Sequence, residues 1–308
     1  MSKIKEFVKN ISPLNNRTEM PGILYILKVI IIFWFVKFGA EVICEGVVIL
    51  LHFACGKNPL KGEIFDYSTI TLITYYGYSL MIGIIIMYWK LFQKKSVSEL
   101  GFTKKAGTCF IGAIIGAVLV LVSVVIIVIT GAITYEGVFK SIDYVYILLM
   151  LGGFIFQGAL EEVLCRGVVL QLLKEKTSVY VAIGISTLLF IIPHISKMTE
   201  ESGGVLAFAI INLILISFIF SIITLYFKSI WPACGLHSIW NYVLYNILGL
   251  NLSGNDKKTA AVFNMKSNGN NILNGGIYGI EASVITAIVL ATTLVIMTYS
   301  MRKRKVKL

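Results

Sequence analysis

Long apolar runs recur along this 308-residue chain, and each can cross a hydrocarbon layer about 30 Å thick, which takes roughly 20 helical residues. Inside such a layer every backbone N–H and C=O must be satisfied within the polypeptide, which leaves helices or closed barrels. The runs are continuous rather than alternating, so they predict helices. Eight segments are expected, at 22–55, 68–92, 107–134, 145–172, 178–197, 205–227, 231–250 and 277–301. The fold class that follows is all-α, a polytopic membrane bundle of about eight transmembrane helices. Composition agrees, with 57% hydrophobic and 14% charged residues against roughly 45–50% and about 25% in soluble domains. A soluble enzyme, a disordered scaffold and a disulfide-stapled secreted domain are thereby excluded.

The organisation expected is a short cytoplasmic segment at 1–20, one bundle over 21–301 and a basic cytoplasmic tail at 302–308. The stretch 251–276, rich in Asn and Gly, reads as a flexible external loop. Lys3, Lys5, Lys9 and Arg17 precede the first span without a cleavable small-residue site, so that span reads as a retained signal anchor. Basic residues set the orientation. About two thirds of the 27 Lys and Arg fall before residue 20, at 90–105, at 166–176, at 228 and at 302–307, and alternate spans then place both termini in the cytoplasm. The net charge of +11 is explained by those loops and by anionic lipid, and no nucleic-acid motif accompanies it. The five cysteines match no metal ribbon or disulfide framework. Usage rich in Lys, Asn and Ile fits an AT-rich bacterial genome, hence a bacterial plasma membrane.

Ionisable residues within spans cost roughly 2.5–3.5 kcal/mol each unless paired or wet, so they mark function. In the first span, Lys37, Glu41 and Glu45 share one helix face and can neutralise one another, beside Lys28 and His52; an interfacial or structural role is expected for this group. The fourth span differs. Glu162 and Arg166 are one turn apart and can pair, whereas Glu161 is rotated by about 100° and stays free to face a cavity. An orienting acid beside a working acid suits general-base chemistry. The fifth span carries Phe190 to His194, and the seventh carries His237 and Asn241 on one face, able to converge on one oxygen. Glu161 and His194 lie at matching distances, about 24–26 Å, from the polar turn near 174–178, but His237 is only about 14 Å from its own end. For all three to meet, the hairpin of spans four and five must project about 10 Å into the cytoplasm.

These three pieces are Glu161-Glu162-Val-Leu-Cys-Arg166, Phe190 to His194, and His237 to Asn241. In this order, on separate spans, they resemble the CPBP intramembrane proteases, a family that includes type II CAAX prenyl endopeptidases and bacterial proteins of bacteriocin maturation and self-immunity. The resemblance covers about residues 145–250, and Ser96 to Phe102 (SVSELGF) also looks similar. Cys165 departs from the aromatic residue the family commonly places before the arginine. The resemblance implies peptide-bond hydrolysis in a polar cavity open to the cytoplasm. On that carry-over, Glu161 and His194 activate water, Glu162 paired with Arg166 shapes the site, and His237 and Asn241 hold the oxyanion. The substrate is then a membrane-associated peptide or protein. No cofactor is required on this reading, although Glu161, His194 and His237 would be the ligands if zinc were used. Cys165 reads as a small packing residue rather than a nucleophile. Two rival functions share these residues: a non-enzymatic peptide-binding immunity or scaffold protein, and a transporter or proton relay. The latter is disfavoured because the halves show no repeat.

Overall fold

The computed structural model describes residues 3–198, 201, 203–255 and 260–303. An amphipathic helix α1 (Lys3–Ile11) precedes the long α2 (Gly22–Ala54). Then come α3 (Tyr67–Tyr88), prolonged by a π turn at Trp89–Gln93, and α4 (Thr108–Ile129). Helix α5 (Tyr144–Glu162) runs through a π turn at Val163–Val169 into the short α6 (Leu170–Leu173). After α7 (Val179–Ile195) and α8 (Gly203–Phe227), α9 (Trp231–Tyr242) is prolonged by a third π turn at Val243–Ile247, and α10 (Val284–Lys303) is the last helix described. Among the described residues seven helices are long and apolar enough to cross a membrane, which makes this an integral membrane protein. The segment expected to supply an eighth, at 231–250, is shorter. Its polar residues His237, Ser238 and Asn241 are nevertheless buried, because helices rather than lipid surround it.

Helix starts follow from their sequences. Asp66, Asp143 and Ser178 accept backbone N–H bonds from Thr69, Tyr146 and Val181, so α3, α5 and α7 each begin on an oxygen-bearing N-cap. The tightest seam joins α4 to α9, which run parallel. A Cβ on Gly112 or Gly116 would collide with the backbone of Pro232 or Leu236, and one on Gly235 would collide with the backbone of Cys109. Small residues four apart let helix backbones approach within a membrane, where lipid supplies no hydrophobic drive and van der Waals contact must hold the pair.

The two ends of the bundle are unlike. One end carries α1, the linker between α3 and α4, the turn between α6 and α7, and the start of α9. Lys95 bridges to Glu175 at 2.6 Å there, and Trp231 donates to the Thr103 carbonyl at 2.9 Å. At the other end β1 (Ile133–Val138) pairs antiparallel with β2 (Phe263–Ser267), Ile133 opposite Ser267 and Tyr135 opposite Met265, with a bulge before Val138. We call these the basic end and the hairpin end. The expectation of a flexible loop at 251–276 is therefore corrected for the described part. Strand β2 lies inside it, and the fully buried Asn274 donates to the carbonyls of Ala132 and Gly269 at 3.2 and 2.7 Å. Asparagine here serves turn-making and backbone satisfaction, a use that composition does not separate from disorder. Residues 256–259, within that loop, and 304–308 of the expected basic tail lie outside the described residues, as do Met1 and Ser2 of the expected N-terminal segment.

The α4–α9 seam yields a first expected outcome. Gly112→Val must push α9 away and should cost about 1–3 kcal/mol, the usual penalty of overpacking, read as a lowered melting temperature of the detergent-solubilised protein. Gly83→Ala, where an added methyl meets open space, should leave it unchanged.

Candidate active site

Glu161 and Glu162 are the last residues of α5, at the junction with the π turn 163–169. A π turn packs an extra residue into a helical turn and is frequent at functional sites. Glu162 and Arg166 are both fully buried and are 3.1 Å apart (Oε1 to Nη1). The same Glu162 oxygen accepts from His237 Nδ1 at 3.1 Å. Arg166 Nη2 donates to the Ser217 carbonyl and hydroxyl at 3.0 and 2.6 Å, and Ser217 meets Thr187 at 2.9 Å. The guanidinium lies between the rings of Phe190 and Phe220, 4.8 and 5.0 Å from their centroids, and Phe220 in turn stacks on His237 at 5.0 Å. A buried ion pair survives only when its remaining donors and lone pairs are met. Here α7, α8 and α9 meet most of them, while Glu162 Oε2 and Arg166 Nε are buried without a hydrogen-bond partner among the described residues.

Glu161 points the other way. Its Oε1 accepts from Gln157 Nε2 at 2.7 Å, and Gln157 Oε1 accepts from Asn241 Nδ2 at 2.8 Å. Its Oε2 is buried without a hydrogen-bond partner and sits 3.9 Å from both His194 Nε2 and His237 Nε2. That spacing is too long for direct bonds and suits one bridging water. His194 Nδ1 lies 2.9 Å from the Phe190 carbonyl. A carbonyl only accepts, so Nδ1 carries the proton and Nε2 of the neutral ring presents a lone pair to Glu161. His237 gives its Nδ1 proton to Glu162 and turns Nε2 to the same point. The structure thus brings Glu161, Glu162, Arg166, His194, His237 and Asn241 together. Sequence reasoning missed Gln157, which links the working acid to Asn241. Its signal was present: an amide in an apolar span, one turn before Glu161 and on its face.

Two cavities meet at this cluster. The first, with about 900 Å³ of empty volume partly open to solvent, runs from Glu161, His194 and His237 to Lys197, Ser253, Asn255 and Glu281. The second, of about 840 Å³, shares Gln157, Glu161 and His194 and is walled by Lys37 and Glu41 of α2 and by Cys165. The first-span group expected to be structural is therefore divided. Lys28 holds Asn15 and the Arg17 carbonyl at 2.8 Å each, and His52 accepts from the Phe65 N–H at 3.3 Å. Lys37 pairs with Glu41 beside the site, whereas Glu45 is exposed. Cys165 is buried, as a packing residue should be. Ser253, Asn255 and Glu281 belong to the hairpin end, so the first cavity extends away from the basic end.

Zn–N and Zn–O bonds of about 2.0–2.2 Å in a tetrahedron place ligands roughly 3.4 Å apart, closer than the 3.9 Å between Glu161 and either imidazole. Among the described residues no group of three or more His, Cys, Asp and Glu is arranged to hold a metal ion. The donors do not fit zinc as they stand, and no step below uses a metal.

No curated protein and no solved structure matches the chain significantly. A family model does match, over the stretch from the start of α5 to just past Asn241, the same helices that build the cluster. Residues 143–243 match the model of the Rce1-like type II CAAX prenyl endopeptidase family, in keeping with the CPBP resemblance carried by the motifs.

Proposed function

We propose that the protein is an intramembrane endopeptidase of glutamate type. The Rce1-like domain implies a membrane protease of the CAAX class acting on a peptide substrate in a lipid bilayer. The observation that carries the finer reading is the placement of Glu161 Oε2 at 3.9 Å from two imidazole nitrogens, one with a free lone pair. A water held between Glu161 and His194, its second hydrogen donated to His194 Nε2, gives a proton to the Glu161 carboxylate as its oxygen attacks the scissile carbonyl. The carbonyl oxygen gains negative charge, and the Nε2–H of protonated His237 together with the amide of Asn241 is placed to receive it. The proton then passes to the leaving amine. Glu162 and Arg166 do not touch the substrate. They fix the ring of His237 through its Nδ1, as second partners of a working imidazole do. Gln157 holds Glu161 and Asn241 in one hydrogen-bonded chain, so base and oxyanion donor keep their relative positions.

Glu161→Gln keeps size and removes the base. Comparative proteomics of membrane peptides should lose the enzyme-dependent cut sites, with turnover falling about 10²–10⁴-fold as for other general bases. Unchanged cutting would overturn the peptidase reading, and a phenotype kept intact without any cutting would favour the peptide-binding scaffold. Arg166→Lys keeps the charge but not the fork that spans Glu162 and Ser217. It should lower kcat with little change in KM, because the defect lies in aiming His237. Proteolysis in purified membranes should survive exhaustive chelation; loss restored by Zn²⁺ would replace the glutamate mechanism with a metal one.

A further inference from the structure

The direction of the cavity and the distribution of charge together assign the enzyme a compartment. Toward the basic end the cluster is sealed. Glu162, Arg166, Val168, Val169, Leu170 and Leu173 are all fully buried. The cleft at the basic end, lined by Trp89, Glu99, Lys174 and Lys228, shares no residue with either cavity around Glu161. Toward the hairpin end the wall is polar and partly solvated: Ser253, Asn255 and Glu281 are half-buried and Lys197 is exposed. Ser253 donates to Glu281 through both its N–H and its hydroxyl, at 2.7 and 2.8 Å, which holds this rim in shape.

The ends also differ in charge. Among the described residues the hairpin end carries Lys57, Lys61, Lys140, Lys197 and Lys266, whereas the basic end carries the lysines and arginines of residues 3–17, 90–105, 174–176, 228 and 302–303. Lysine and arginine in short loops and near span ends are retained in the cytoplasm, and acidic residues count for little in that sorting. The basic end is then cytoplasmic. We infer that the catalytic cavity opens to the non-cytoplasmic face of the membrane, and that its substrate is a peptide segment exposed on that face next to the bilayer. Such a segment is the translocated, membrane-proximal part of an anchored or exported polypeptide, which reaches Glu161 past Lys197 and Ser253 without crossing the hydrocarbon layer. The substrate half of this inference rests on the peptidase reading; the direction of the opening does not.

Side-specific labelling tests the opening with the full chain. Single cysteines are placed at Ser253 in the rim, at Lys266 in β2 and at Lys176 in the basic-end turn, with Cys55, the exposed native thiol, changed to Ala. In intact spheroplasts a membrane-impermeant maleimide should label Ser253→Cys and Lys266→Cys, and Lys176→Cys only after permeabilisation. The reverse pattern overturns the orientation. Labelling of Lys266→Cys alone overturns the opening. The same pattern is expected with Glu161→Gln added, so the result does not depend on whether the protein cleaves anything. In the proteomic comparison of wild type with Glu161→Gln, the lost cut sites should lie on the non-cytoplasmic side of their host proteins. Cuts confined to cytoplasmic segments overturn the substrate class, while no lost cuts at all would instead count against the peptidase reading.

Discussion

A charged pair in the middle of an apolar bundle is the constraint from which the rest of the site follows. Stripping Glu162 and Arg166 of water is expensive, and their mutual attraction repays it only if the surrounding groups complete their hydrogen bonds. The chain meets most of that demand with Ser217 and Thr187 from two neighbouring helices, with His237 from a third, and with two phenylalanine faces over the guanidinium. Each of these partners is thereby committed to one position. Four helices are fastened around one fixed charge pair, and Glu161 is left on the opposite flank of α5 with its Oε2 facing the two imidazoles.

Satisfaction of the backbone and economy of volume do the remaining work. The α4–α9 seam is so close that three glycines meet backbone where a side chain would stand. That closeness holds α9, too short to be a span by length and composition, against α4 at the depth where His237 and Asn241 are needed. The projecting hairpin that unequal helix lengths seemed to require is one solution of the depth problem. Glu161 and His194 lie well along their helices from the basic end, while His237 lies early in α9, and the packing of α5, α7 and α9 brings them level at the cluster.

Much of this was legible in the sequence, for definable reasons. Span positions follow from hydropathy because the bilayer makes helix the one economical answer for a long continuous apolar run. The pairing of Glu162 with Arg166 and the freedom of Glu161 follow from helical spacing alone. What spacing does not convey is which helices touch. Lys37 and Glu41 looked isolated because their neighbours Glu161 and His194 are more than a hundred residues away along the chain. Gln157 was overlooked because a neutral amide in a span carries less cost than a charge and so draws less notice. The β1–β2 pairing was hidden since two short strands separated by most of the bundle leave no local signature, and the Asn-rich stretch that holds one of them has the composition of a loop.

The π turn after Glu162 has a consequence for how such a chain can change. It carries one residue more than a regular helical turn, and everything downstream in the same helix, from Arg166 to Leu173, is phased by that surplus. Losing a single residue between Glu162 and Arg166 would let the helix regularise with Leu170 to Leu173 near their present faces, but would shorten the spacing of Arg166 from the two carboxylates by one residue, or about 100° of helical rotation. Arg166 would leave its slot between the aromatic rings, while the leucines after it would stay packed inward. This stretch can therefore exchange one apolar side chain for another with modest effect, but its length is held fixed by the geometry of the charge it contains.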